Sequence, residues 1–175
     1  MNKFSTSAAL MTAAMLSAHA HAGHKEECER PDYARQYAAA FPAELNGALD
    51  KFNAQDALHK KKIDAMKAAM IKAGAWSDME AATFMVKASI TDEDAKAAEA
   101  GRKKAASDFK VQLLTIQGIE VVAGGDKAAE VRATCLLGPN AITKADALRD
   151  AIEKAWSLLE AKIVAVAQEK NITLP

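Results

Sequence analysis

Beyond Pro31 the apolar residues recur every three or four positions, and the chain is rich in alanine, poor in glycine and proline, and nearly free of runs of β-branched residues. That pattern predicts helix almost throughout, so the informative positions are the ones that end helices. Tyr33, Tyr37 and Phe41 form one stripe at i, i+4, i+8, as a docking helix requires. Pro31 and Pro42 both suit first helical turns. The pattern therefore predicts a short helix ending near Phe41 and a second from Pro42 to Ala73, stopped by Gly74 as a left-handed C′ residue. Ser77-Asp78-Met79-Glu80 has the spacing of a capping box and predicts a helix to about Ser89.

Thr91 is expected to cap the next helix, with Ala98, Ala105, Phe109, Leu113 and Ile116 on one side and Gly124-Gly125 beyond its end. Asp126 can cap a brief segment carrying Cys135, which Gly138-Pro139 is expected to break. Thr143 would then cap a final helix whose line is Leu148, Ile152, Leu159, Ile163 and Val166, widened by Trp156. Such long stripes can be buried only against one another. The expected fold is all-α, an antiparallel helical bundle of four or more helices. A hairpin completed by a second copy of the chain would use the same stripes, so a homodimer fits the pattern too.

The first 22 residues follow a different pattern. Lys3 precedes a short apolar run from Ala8 to Ala18, too short to cross a bilayer, and Ala18-His19-Ala20 and Ala20-His21-Ala22 both have the small-x-small form of a cleavage site. Residues 1–22 therefore read as a secretory signal, cut after Ala20 or Ala22. Residues 23–175 read as a single helical domain, periplasmic or secreted, with no stable membrane insertion after the signal is removed. In an oxidising compartment Cys28 and Cys135 are expected to form one disulfide, tying the N-terminal segment to the region before the last helix. Cys-x-x-Cys is absent, which argues against thiol redox catalysis.

The chain holds 23 basic and 23 acidic residues. With Lys60-Lys61-Lys62 and Arg102-Lys103-Lys104 as its only basic triplets, and no interleaved aromatics, it gives no reason to expect nucleic acid as a partner. Candidate chemistry lies where polar residues interrupt apolar faces. Leu45, Leu49, Phe52, Ile63, Met66 and Met70 share one face of the second helix, and Asp56 and His59 fall within the same arc. A carboxylate three residues before a histidine is half of the motif that helical bundles use for di-metal centres. The plainer reading pairs Asp56 with His59 at a wet end of the bundle.

His21 and His24 near the new N-terminus would offer imidazole and α-amine nitrogen to copper or zinc, from a tail with no preformed geometry. Nucleophile elbows, phosphate-cradling loops and zinc-protease motifs are absent. The expectation is a non-enzymatic exported protein that binds another exported protein, as inhibitor, immunity factor, adaptor or chaperone. Copper or zinc binding through His21, His24 or the Asp56/His59 pair is the alternative.

Overall fold

The computed structural model describes residues 23–175. The segment read as a signal, both expected cleavage positions and His21 lie outside the described residues. All the secondary structure described is helical: a helical turn over residues 23–27, then α1 (Pro31–Lys72), α2 (Asp78–Ile90), α3 (Glu93–Ala123) and α4 (Lys127–Glu169). None of these helices is long and apolar enough to cross a membrane.

Several predicted boundaries are set by the residues that suggested them. Gly74, at φ 71°, ends α1 in a Schellman motif, its N–H donating to the Ile71 carbonyl at 2.9 Å and that of Ala75 to Met70 at 3.0 Å. Ser77 and Glu80 form the full capping box ahead of α2. Gly124 and Gly125 both have positive φ after α3, and Asp126 Oδ1 accepts from the Ala128 and Ala129 amides at 2.9 and 3.2 Å. Asn171, at φ 55°, closes α4 with the same pair of bonds that Gly74 uses, Asn171 to Gln168 and Ile172 to Ala167. Asparagine tolerates the left-handed conformation well enough to act as a stop there.

Three expectations are corrected. Thr91 is the C-cap of α2, its Oγ1 donating to the Lys87 carbonyl at 2.8 Å, while Asp92 accepts the Ala95 amide at 2.9 Å and caps α3. Pro42 starts no new helix but lies inside α1. Gly138-Pro139 does not break the chain, and α4 runs through both, so no separate helix begins at Thr143.

Pro139 has no N–H to give the Cys135 carbonyl four residues earlier, and a buried orphan carbonyl would cost about 1–3 kcal/mol. The side chain of His24 supplies the missing donor, with Nε2 2.9 Å from that oxygen. A proline is tolerated in the helix because another segment satisfies the group it frees.

The chain separates into two compact units, each assembled from stretches far apart in sequence. Among described residues the first comprises 23–44 and 114–140. At its centre the Cys28–Cys135 disulfide, closing a span of 107 residues, packs with Ala34 and with Tyr33, Tyr37, Val131 and Leu136. Glu29 and Arg132 form an ion pair beside it. Tyr37 is held protonated, its pKa pushed up to about 12 by burial and then by the charge of Glu44.

At Gly138, α4 packs closely against the aromatic stripe. A Cβ there would lie 2.7 Å from Tyr37 Cε1, 2.9 Å from Phe41 Cδ2 and 2.9 Å from the Tyr37 hydroxyl. Gly138→Ala is thus expected to destabilise by about 1 kcal/mol, because overpacking of roughly 1–3 kcal/mol outweighs a helix-propensity gain of about 1 kcal/mol. Gly101→Ala, with nothing within 4 Å of the new methyl, is expected to stabilise by roughly 0.5–1 kcal/mol. Chemical denaturation of the two variants checks the difference in sign.

The second unit comprises Leu45–Leu113 and Ala141–Pro175. Ile63, Met66 and Met70 from α1, Trp76 from the turn, Ala81 from α2, and Ile163 and Ala167 from α4 form its buried core. Ile172 and Leu174 fold back onto it after the Asn171 stop. Contacts between α1 and α4 ascend together, Asp56 to Trp156 and then His59 to Glu160. Those between α3 and α4 run in opposite order, Asp92 to Lys162 and Asp108 to Lys144.

Candidate functional site

Within the second unit lies a cleft of about 730 Å³ walled by α1, α2, α3 and α4. Phe52, Met85, Val86, Ile152, Trp156 and Leu159 give it an apolar surface, with Asp56, Glu99, Arg102 and Lys162 as its charged groups. Size and composition are those of a binding cleft. Arg102 grips Glu99 through two hydrogen bonds of 2.7 Å each, and Lys162 reaches Asp92 at 2.6 Å. These pairings hold the Glu99 and Asp92 carboxyls below their ordinary pKa.

Asp56 and His59 do not pair with each other. Trp156 Nε1 donates to Asp56 Oδ1 at 2.7 Å, which fixes the indole on the cleft wall. His59 Nδ1 donates to Glu160 Oε1 at 2.7 Å, Lys62 Nζ donates to Glu160 Oε2 at 2.6 Å, and the imidazole lies parallel to Trp156 with centroids 6.5 Å apart. The two residues singled out by the apolar arc thus tie α1 to α4 through separate partners. Glu160 and the indole nitrogen were missed. The available signal was a carboxylate beside Leu159 in the apolar line of the last helix.

Burial pushes the Glu160 carboxyl up, but the hydrogen bonds from Lys62 and His59 outweigh it and keep the pKa below the ordinary 4.5. A group whose pKa is lowered by folding stabilises the fold fully above its unfolded value and loses that contribution as pH falls through the folded value. Glu160→Gln is therefore expected to cost roughly 1–3 kcal/mol at neutral pH. The cost should shrink as pH falls below 4.5. Parallel urea titrations at pH 7 and pH 3.5 measure this, and a deficit that stays constant would refute the assignment.

His24 is not part of a formless tail. It occupies the helical turn over residues 23–27, packed edge-on against Tyr33 and Tyr37 at centroid distances of 5.8 and 5.0 Å. A carbonyl can only accept, so Nε2 carries the proton given to Cys135, while Nδ1 lies in hydrogen-bond contact with the Tyr33 hydroxyl at 3.0 Å. Nε2 is also 3.5 Å from Cys28 Sγ. Among the described residues, His24, Cys28 and Cys135 are the one group of three metal-ligating side chains whose ligand atoms converge, all within 4.8 Å. Asp56 and His59 belong to no such group.

No protein-family model matches this chain. Neither the curated proteins nor the solved structures compared with it include a match.

Proposed function

We propose that this chain is an exported, non-catalytic helical protein that binds a segment of another exported polypeptide in the cleft of its second unit. The observation that carries the reading is the cleft itself, an apolar trough whose charged lining groups already have partners: Arg102 holds Glu99, Lys162 reaches Asp92 outside the cleft, and Asp56 accepts from the Trp156 indole. Groups paired in this way suit a rim that orients a partner better than they suit proton transfer. The order of helix contacts supports an up-down-up bundle in this unit, with α1 and α4 running one way and α3 antiparallel to both. Export is supported by the signal-like pattern of residues 1–22 and by a disulfide, which persists in oxidising compartments.

Val86 tests the reading because it lines the cleft while 60% exposed, so it can be changed without disturbing the core. A photo-crosslinker at position 86, activated in the intact exporting cell, should trap one discrete polypeptide. The same group at Lys61, exposed and outside the cleft lining, should trap none. Val86→Glu is expected to weaken that complex by about 2 kcal/mol, roughly thirty-fold. Equal trapping from both positions, or an adduct of small-molecule mass, would overturn the proposal; an adduct of the chain with itself would identify a homodimer as the complex.

A further inference from the structure

The disulfide of the first unit lies beside the His24 imidazole, whose Nε2 contacts both the Cys135 carbonyl and Cys28 Sγ. We infer that reduction of Cys28–Cys135 converts this cluster into a binding site for a thiolate-seeking d10 cation of the Zn²⁺ type, with His24 Nε2, Cys28 Sγ and Cys135 Sγ as its ligands. The inference is independent of the polypeptide-binding reading, which concerns the other unit.

The geometry is close to what the ion needs. Zinc bonds thiolate sulfur at about 2.3 Å and imidazole nitrogen at about 2.0–2.1 Å, so tetrahedral coordination sets the nitrogen roughly 3.6 Å from each sulfur. Nε2 and Cys28 Sγ are already 3.5 Å apart. His24 and Cys28 are four residues apart across a helical turn, which puts both side chains on one face. The Cα atoms of the cysteines are 5.8 Å apart, so the sulfurs can part around an ion once their bond is gone.

The second shell is also in place. The Tyr33 hydroxyl at Nδ1 can accept as well as donate, so the imidazole proton can move from Nε2 to Nδ1 and free Nε2 for the metal. The Cys135 carbonyl then loses its donor, and a water in the fourth zinc position can replace it. Cys28 lines a cleft of about 280 Å³ whose wall includes Glu29, Pro31 and Arg132, and because the residue is only 1% exposed, reductant and ion reach its sulfur when that wall opens.

The chemistry balances with one co-reactant, a dithiol. By thiol–disulfide exchange it passes two electrons to the Cys28–Cys135 bond, leaving two protein thiols and becoming a cyclic disulfide. Zn²⁺ then displaces the two thiol protons, and the histidine changes tautomer without net proton release. Exchange with a second disulfide, which takes up the two electrons and leaves as a dithiol, re-forms the Cys28–Cys135 bond and expels the ion.

The test uses the full mature chain, oxidised or reduced with a phosphine, titrated with Zn²⁺ against a chromogenic chelator, and with Co²⁺ as a spectroscopic reporter of thiolate ligation. One equivalent of Zn²⁺ is expected to bind the reduced chain, with a Co²⁺–thiolate charge-transfer band, and neither is expected with the oxidised chain. His24→Ala should weaken binding by at least about ten-fold, and Cys28→Ala with Cys135→Ala should abolish it. Should reduction alone loosen the unit, Zn²⁺ is expected to restore its helical signal and protect both thiols from alkylation. Equal Zn²⁺ affinity in the oxidised and reduced chains, no effect of His24→Ala, or thiols that Zn²⁺ leaves unprotected would each overturn the inference.

Discussion

Replacing Cys28 and Cys135 together by alanine is expected to cost about 2–4 kcal/mol of stability, at or below the 4–5 kcal/mol that loop-closure entropy gives for so long a span. The cost should fall unevenly. Both sulfurs lie in the first unit, at the centre of a small cluster with Ala34. That cluster has few large apolar side chains, so the crosslink contributes a large share of what holds its segments together. Hydrogen exchange should show the amides near Ala34 and Leu136 losing protection, while those near Met66 and Ile163 keep theirs. A uniform loss across both units would show that the crosslink acts on the whole chain through its unfolded state and not on a local structure.

The sequence was most readable where one residue does one local job. Gly74, Ser77 with Glu80, Gly124-Gly125 and Asp126 end or begin helices through backbone conformation and hydrogen bonds to their own neighbours, and each does what its type suggests. The disulfide was readable from the even number of cysteines. The two prolines misled because the rule for proline is also local, whereas its cost is settled by whether the freed carbonyl finds another donor. For Pro139 that donor is His24, more than a hundred residues earlier, in a stretch that looked like a tail.

The same limit applies to the polar residues of the apolar arc. Spacing put Asp56 and His59 on the core side of α1, but not which side chains they would meet. Trp156 and Glu160 lie about a hundred residues away, and their pairing depends on how α4 is set against α1. Local periodicity names the face of a helix and not its partner. Thr91 shows a smaller version of the problem. It stands beside Asp92, and either residue could cap α3. The aspartate does so, and the threonine hydroxyl turns back to close α2.

Ile163→Ala is expected to be the most damaging single truncation, at about 2–5 kcal/mol. Ile163 is fully buried and shares the core of the second unit with Ile63, Met66 and Met70 from α1 and Ala81 from α2, so the cavity left behind has rigid neighbours on several sides. Val164, the next residue in α4, is 37% exposed, and Val164→Ala is expected to change stability by no more than about 0.5 kcal/mol. Both changes exchange a β-branched residue for alanine in the same helix, so their propensity gains nearly cancel in the comparison and the remaining difference measures packing. The consequence should extend to the proposed binding cleft. Met85, Trp156 and Leu159 pack against this core on one side and line the cleft on the other. A loosened Ile163 site should therefore weaken capture of a partner at position 86 even under conditions where the chain remains folded. If Ile163→Ala destabilised the chain yet left crosslinking at full strength, the cleft would be shaped by α2 and α3 alone, and the partner would be contacting Val86 and not the Trp156 wall.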